Sequence, residues 1–394
     1  MSPLAKGVTL EPRNSYLIFG AGIQGIAIAH DLLNARDTGR VTIVDRAAER
    51  LEYARKRLPQ PRLETEMFDM AGEEDLVALL TGYDCVIGAA SYTIHLALTK
   101  AALAAGAHYC DLGCQNDVVA QQFALHDHAK DLGLRVMPDC GVAPGAVCVL
   151  ARHAIDRIPS AERVELRVGG IPQKPEGHLR YALAYSAEGL LSNYVEPVEV
   201  LRDGVRKLVP PLEEHEYQSF PEPIGWLEAQ LTSGGLSTLA RTYEGRIKHL
   251  DYKTLRWPGH WDIINVMSKL GLLEQKEPII VRGTKILPRE FTEQLLERVL
   301  PRNQPDLIVM RVRALDATGH GVQLDVVDRK NPVTGFSAMQ RTTGYATSIV
   351  AQMLVSGEIG GTGVLKHEEV VPPERFIAEW RLRNIVVTET AITP

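Results

Sequence analysis

No stretch of this 394-residue chain carries the roughly 20 consecutive apolar residues that a membrane-spanning helix needs, which sets aside a bilayer-embedded class. Basic charge is not in excess either. Forty-three Lys and Arg stand against 49 Asp and Glu, a formal charge of −6 with no long basic run, so neither a nucleic acid nor an anionic membrane is an expected partner. Cysteine is scarce: Cys85, Cys110, Cys114, Cys140 and Cys148 are an odd number in a long chain and suggest no disulfide framework. They do not argue for a metal centre, because Cys110-x3-Cys114 lacks a second short spacing and cysteines on strands usually behave as small apolar residues. Internal repeats and low-complexity segments are missing too. Residues Met1 to Asn14 lack the apolar stretch of a secretory signal, and a cytoplasmic location is the expectation.

What is present is an ordinary globular composition, 45% hydrophobic and 23% charged, in a chain long enough for two domains. From Ser15 to about Gly145, β-branched runs alternate with amphipathic stretches, the signature of βαβ units around a parallel sheet. Six strands are expected there, at Tyr16–Phe19, Val41–Asp45, Glu64–Phe68, Cys85–Ala89, His108–Asp111 and Leu134–Asp139. After Gly141-Val142-Ala143-Pro144-Gly145 the strands lengthen and turn polar on alternate positions, which predicts an antiparallel sheet. Val164–Val168, Tyr181–Tyr185, Ile247–Arg256, Leu307–Leu315 and Val322–Arg329 read as its strands; Asp262–Leu270, Arg289–Val299 and Thr342–Leu354 read as helices. The fold class is therefore α/β. A doubly wound Rossmann sheet is expected over residues 1–145, completed by a return of residues 340–394, with a second α+β domain over residues 146–339.

The turn Gly20-Ala21-Gly22-Ile23-Gln24-Gly25 gains weight from its context: a β-rich run before it, an amphipathic helix after it, and an acidic residue closing the second strand. Gly20 permits the tight turn, Gly22 lets the backbone approach a pyrophosphate, and Gly25 lets the helix pack on the strand. The helix N-terminus then attracts the phosphates, with the N–H groups around Ile23 and Gln24 within reach. Asp45 lies 20 residues after Gly25, where a carboxylate meets the adenosine ribose hydroxyls, and this favours NAD. Arg46 beside it makes NADP the alternative, and the fingerprint alone also admits FAD. Asp69 ends the third strand where adenine normally sits; Ala90 and Ser91 follow the fourth and complete the cofactor candidates. The plain structural alternative is a turn beside a solvated strand end.

Together with Cys110-Asp111-Leu112-Gly113 and Asp139-x-Gly141-x-Ala143-Pro144-Gly145, this motif makes the chain similar to the saccharopine dehydrogenase superfamily. The resemblance runs from about residue 15 to about residue 375. It includes Ser186-x-Glu188-Gly189-Leu190-Leu191, Thr232-Ser233-Gly234-Gly235-x-Ser237-Thr238-Leu239, Tyr252-Lys253-Thr254-x-Arg256 with Gly259-His260, and Arg341-Thr342-Thr343-x-Tyr345. The residues before Ser15 and the Leu300–Asp306 connection depart from the pattern, and neither touches a motif. Within that superfamily the likeness implies the branch that oxidises the ε-amine of L-lysine with NAD. The products are the 6-semialdehyde, which cyclises to a piperideine carboxylate, with ammonia and NADH. It also implies a second domain that carries the substrate wall and a dimer contact, hence a homodimer or larger homo-oligomer.

Hydride can leave a carbon bearing an amine only if the nitrogen lone pair is free, so such a site needs a base and a desolvated amine. Ligands of open α/β sheets sit beyond the carboxyl ends of the strands, where Ser91, Tyr92, Asp111 and Asp139 fall. Asp111 and Asp139 are the first candidates for amine binding or general base, against a reading as loop-capping carboxylates. His260 is a candidate proton shuttle, although a lone histidine is more often a packed ring. Arg241 is a candidate clamp for a substrate carboxylate, against a surface ion pair. Tyr92, Tyr185, Glu188, Thr232 and Arg256 complete the substrate-binding candidates. Two further readings stay open: a reductase that joins an amine to a carbonyl compound, as saccharopine and carboxynorspermidine enzymes do, and a non-catalytic sensor of dinucleotide.

Overall fold

The structure, a computed structural model, describes residues 14–394 apart from Met70, Ala71, Cys114, Tyr185 and Asn303. It divides into two compact units. The first comprises residues up to Leu112, Val118–Pro138 and Thr347–Leu365; the second comprises Gly113–Asp117, Asp139–Ala346 and Lys366–Pro394.

In the first unit, strands β1 (Asn14–Phe19), β2 (Thr38–Asp45), β3 (Leu63–Met67), β4 (Cys85–Gly88), β5 (His108–Asp111) and β6 (Arg135–Met137) alternate with helices α1 (Ile23–Asn34), α2 (Ala48–Arg57), α3 (Glu73–Leu80), α4 (His95–Ala104), α5 (Asn116–Phe123) and α6 (His126–Asp131). Strand β17 (Gly363–Val364) joins β6, and the sheet order is β17-β6-β5-β4-β1-β2-β3 with every pair parallel. All six expected strands are present. Leu17, Ile18, Ile43, Val44, Val86 and Ile87 are buried, as strands covered on both faces require. Strand order reverses between β1 and β4. That is the switch point at which doubly wound sheets open a crevice beyond their carboxyl ends.

The second unit holds α7 (Val147–Arg157), β7 (Arg163–Pro172), α8 (Ala187–Val195), β8 (Val198–Arg202), β9 (Val205–Val209), β10 (Glu216–Phe220), β11 (Gly225–Leu231), α9 (Leu239–Tyr243), β12 (His249–Arg256), α10 (His260–Lys269), the hairpin β13 (Ile279–Val281) and β14 (Thr284–Ile286), α11 (Pro288–Val299), β15 (Asp306–Leu315) and β16 (Gly321–Arg329). Helix α12 (Ala338–Ser356) begins in this unit; α13 (His367–Val370), α14 (Pro373–Leu382) and β18 (Val387–Ile392) close it. The main sheet runs β10-β11-β12-β7-β15-β16-β18, with β8 and β9 attached at β12. It is antiparallel except for the β12–β7 pair.

Two expectations change here. The return of residues 340–394 to the Rossmann sheet is divided: residues 347–365 belong to the first unit, whereas residues 366–394 belong to the second, because β18 pairs its backbone with β16. Tyr181–Tyr185 alternates like a strand, and Tyr181 and Leu183 are buried. Yet the described backbone there finds one isolated bridge, Leu183 with Arg302, beside a packed cluster from α8, α10 and α11.

A buried ion network braces the second sheet. Arg167 meets Glu216 and Asp251, the latter at 2.6 Å, while Lys253 Nζ donates to Glu216 Oε2 (2.7 Å) and the Glu214 carbonyl (2.6 Å). Burial by itself would raise the Glu216 carboxyl. The hydrogen bonds and charge of Arg167, then of Lys253, outweigh it and hold the pKa at about 2. A depressed folded-state pKa contributes stability that is present above the ordinary carboxylate range and lost as pH falls from about 4.5 toward 2. Urea unfolding of Glu216→Gln and the parent between neutral and acid pH should therefore show a shallower acid loss in the variant. Equal slopes would remove Glu216 from the acid limb.

Candidate active site

Gly20, at φ 120°, takes a backbone conformation that L side chains rarely adopt, and a Cβ there would stand 2.7 Å from the Ala89 carbonyl oxygen. A Cβ on Gly25 would overlap the Gly20 carbonyl oxygen. Gly22, the N-cap of α1, faces open space, and Ile23 is exposed beside it. This is the arrangement that lets a phosphate reach unshielded N–H groups at a helix start. Asp45 is buried with both oxygens in use: Oδ2 accepts from Ala21 N–H (2.8 Å) and Oδ1 from Ala47 N–H (2.9 Å). Arg50 stands 3.8 Å from Oδ2, and Arg46 is exposed next to it. Gln24 is half-buried, and Asp69 lies exposed past the end of β3. The cradle fits a dinucleotide, with the glycine turn and first turn of α1 as the candidates for its pyrophosphate and Asp45 for a ribose.

Beyond β4 the chain turns through half-buried Ala90 and exposed Ser91, whose Oγ accepts from Thr93 N–H and hydroxyl. Half-buried Tyr92 opens a short helical turn. Asp111, at the end of the neighbouring strand, is wholly buried, and its Oδ2 accepts from Gln122 Nε2 at 2.6 Å. His95 faces the same oxygen at 3.6 Å. Neither Gln122 nor His95 stood out from the sequence.

In the second unit, Asp139 takes a left-handed φ of 64° and its Oδ2 accepts from Ser237 Oγ at 2.6 Å; Ser237 is itself left-handed, at φ 48°. Backbone strain at two hydrogen-bonded residues is the kind of outlier that clusters at working sites. Next to Ser237, Thr238 Oγ1 donates to Glu368 Oε1 (2.8 Å), as does Thr242 Oγ1 (2.6 Å), and burial pushes the Glu368 carboxyl up. Cys148 Sγ reaches the Leu236 carbonyl. The Thr232–Leu239 block is thus tied at three successive residues. Ser237 and Thr238 stand out in the sequence only as members of the Thr232–Leu239 block, with no role of their own, and Glu368 does not stand out at all, because an isolated acidic pair carries no motif.

Arg256 and His260 come together, but inside the protein. Arg256 packs over the rings of Tyr181 (4.8 Å), Tyr194 and Trp261 (both 5.9 Å), and donates through Nε to Tyr194 Oη (3.1 Å). Both His260 nitrogens are engaged, Nδ1 with the Leu179 carbonyl (2.7 Å) and Nε2 with Tyr194 Oη (3.2 Å). Burial, then the charge of Arg256, lowers its pKa to about 3. At neutral pH it is a packed, uncharged ring, which does not suit the expected shuttle. Thr232 is buried against Thr254 (2.6 Å), while Glu188 and Arg241 are exposed on α8 and α9. Tyr185 and Cys114 lie outside the described residues. Cys85, Cys110, Cys140 and Cys148 are buried thiols, and among the described residues no cluster of three potential metal ligands occurs. No described helix is long and apolar enough to cross a membrane.

The sheet order and the glycine cradle define a dinucleotide-binding protein of Rossmann type. Residues 16–137 match the saccharopine dehydrogenase NADP binding domain and residues 141–385 the saccharopine dehydrogenase C-terminal domain; the chain belongs to the saccharopine dehydrogenase family. It is similar to carboxyaminopropylagmatine dehydrogenase of Synechocystis sp., 24% identical over 390 residues that cover 92% of this chain and 94% of that one. Alpha-aminoadipic semialdehyde synthase of Bos taurus is 22% identical over 452 residues, 95% of this chain and 48% of that protein, so the chain spans about half that relative's length. Among solved structures, saccharopine dehydrogenase (L-Glu forming) of Saccharomyces cerevisiae shares the fold at TM-score 0.77 and 18% identity, covering 96% of this chain and 100% of that one.

Asp45→Ala removes the acceptor of two backbone N–H groups at the turn. It is expected to weaken NAD binding about tenfold, roughly the value of one or two hydrogen bonds, in a fluorescence titration with reduced cofactor. Unchanged affinity would separate Asp45 from the ribose.

Proposed function

We propose that this chain uses NAD(P) to make or break a carbon–nitrogen bond of an amino-acid-derived amine, by reductive joining of an amine to a carbonyl compound or its reverse. The observation that carries this reading is the end-to-end match to carboxyaminopropylagmatine dehydrogenase, through the second unit as well as the Rossmann sheet. The second reading is oxidative deamination of the lysine ε-amine, a lysine 6-dehydrogenase activity. It is favoured by the blocks Ser186–Leu191, Thr232–Leu239 and Tyr252–His260. Both place hydride chemistry at a carbon that bears nitrogen.

A nicotinamide cofactor held at the glycine turn would supply or accept the hydride. The chain must bind the amine, hold it neutral when hydride leaves, and manage protons. Asp139, aimed by Ser237, is the proposed acceptor for a substrate ammonium; Asp111 is the proposed proton acceptor, with Tyr92 on the adjoining turn. Exposed Arg241 is the proposed partner of the substrate carboxylate. Asp45 favours NAD, and Arg46 with Arg50 leaves room for NADP. Exposed apolar side chains on α10 (Val266) and just past its end (Leu270) and on α11 (Phe291, Leu295, Val299) support a homo-oligomer contact on the second unit.

The test is absorbance of reduced nicotinamide with amino acids, aldehydes and keto acids supplied singly and in pairs. Oxidation of NADH or NADPH only when an amine and a carbonyl partner are both present establishes the first reading. Reduction of NAD by lysine alone, with ammonia release, establishes the second. Cofactor binding without turnover on any combination sinks both and leaves a dinucleotide sensor. Asp139→Asn is expected to lower kcat/KM for the amine about a hundredfold while leaving cofactor affinity unchanged.

A further inference from the structure

Four side chains of the first unit are shut away from solvent near the carboxyl ends of β4 and β5, and their hydrogen bonding does not close on itself. His95 opens α4 and Thr99 lies one turn on; Asp111 ends β5 and Gln122 comes from α5. All four are buried. Gln122 Nε2 donates to Asp111 Oδ2 (2.6 Å) and to Thr99 Oγ1 (2.9 Å), and Thr99 donates back to the His95 carbonyl (2.7 Å). His95 Nδ1 stands 3.6 Å from the same Asp111 oxygen, within ion-pair range. Among the described residues, His95 Nε2 and Gln122 Oε1 have no hydrogen-bond partner although both are buried. Folded proteins leave few such atoms, and each asks for a reason. Gly88 makes room for the group: a Cβ there would come within 2.5 Å of the Tyr109 hydroxyl, 3.0 Å of Asp111 Cβ and 3.2 Å of His95 Cδ2.

We propose that Asp111 and His95 act as one buried proton-sharing pair, positioned by Gln122 and Gly88, which takes up the proton released when a substrate ammonium becomes a neutral amine. This rests on the amine chemistry above. The ammonium N–H bond breaks with its electron pair staying on nitrogen, and the proton moves to the Asp111 carboxylate directly or through one water. That O–H bond then breaks as an N–H bond forms at His95 Nδ1, leaving a carboxylate beside an imidazolium. The reductive direction runs the same transfers backwards. No electron changes hands.

Histidine is the side chain whose charge changes most readily near neutral pH, and an adjacent carboxylate offsets the cost of burying the imidazolium. The groups that face it are Asp111 and Tyr109 from β5, Gly88 from β4 and Gln122 from α5. Burial holds the Tyr109 hydroxyl well above its ordinary pKa, so it stays neutral. At 3.6 Å the His95 Nδ1 and the Asp111 oxygen stand within ion-pair range.

Histidine-selective 15N NMR of the whole chain, taken between about pH 5 and 9, reads the pair without any need for turnover. The expected result is a His95 ring that titrates in wild type and whose midpoint falls in Asp111→Asn. In kinetics, His95→Gln should lower kcat about a hundredfold and erase the acidic limb of its pH profile, with amine KM and NADH affinity within about threefold of wild type. If His95→Gln does not fold, Gln122→Met should shift the midpoint and lower kcat in the same directions. A ring that holds one state throughout, or a variant with the wild-type kcat profile, overturns the pair. A wild type that oxidises or forms no amine overturns the functional reading instead, while the NMR titration still decides whether the proton is shared.

Discussion

Helix α1 can start directly off the end of β1 only because no side chain stands between the Gly25 α-carbon and the Gly20 carbonyl. Two features of the nucleotide cradle follow from that close approach. It brings the positive end of a twelve-residue helix to the switch point of the sheet, and it places the Ala21 N–H where Asp45, from the neighbouring strand, accepts it. The glycine turn and the end of β2 are thereby tied together. A larger residue at position 25 would separate them, whatever the rest of the chain retained.

Three carboxylates near strand ends are treated the same way. Asp45 is held by backbone amides, Asp111 by Gln122, and Asp139 by Ser237, so each has a fixed direction. Sites whose polar groups are oriented in advance lose less to reorganisation when charge moves during a reaction. The left-handed backbone at Asp139 and Ser237 fits this pattern. His260 shows the opposite outcome. Enclosed by Tyr194, Trp261 and Arg256, it has been absorbed into packing and stays neutral.

The Rossmann half was legible because its signals are local: a β-branched run, a glycine turn, an amphipathic helix, an acidic strand end. The second unit was less so. Its longer strands, β7, β12, β15 and β16, announce themselves by alternation, but β9 is exposed along most of its length and β13 throughout, so neither has a buried face to read. Tyr181–Leu183 has the alternation of a strand, yet it serves a helical cluster, which periodicity alone does not distinguish. Gln122 is only 11 residues from Asp111 but on a different element, while Ser237 is 98 from Asp139 and Glu368 is 130 from Thr238, so no short window along the chain contains the last two pairs.

By itself the sequence determined the class of fold, the dinucleotide cradle and the family, since each depends on residues adjacent in the chain or spaced by one βαβ unit. The tertiary structure decided which acids are anchored, which histidine is a packed ring and which faces a carboxylate, and to which unit the C-terminal segment belongs. Those outcomes depend on burial and on partners brought together from distant segments, quantities that exist only once the chain has folded. The glycine turn thus marks where a cofactor would sit, and the side chains arranged by the fold govern what an amine would meet.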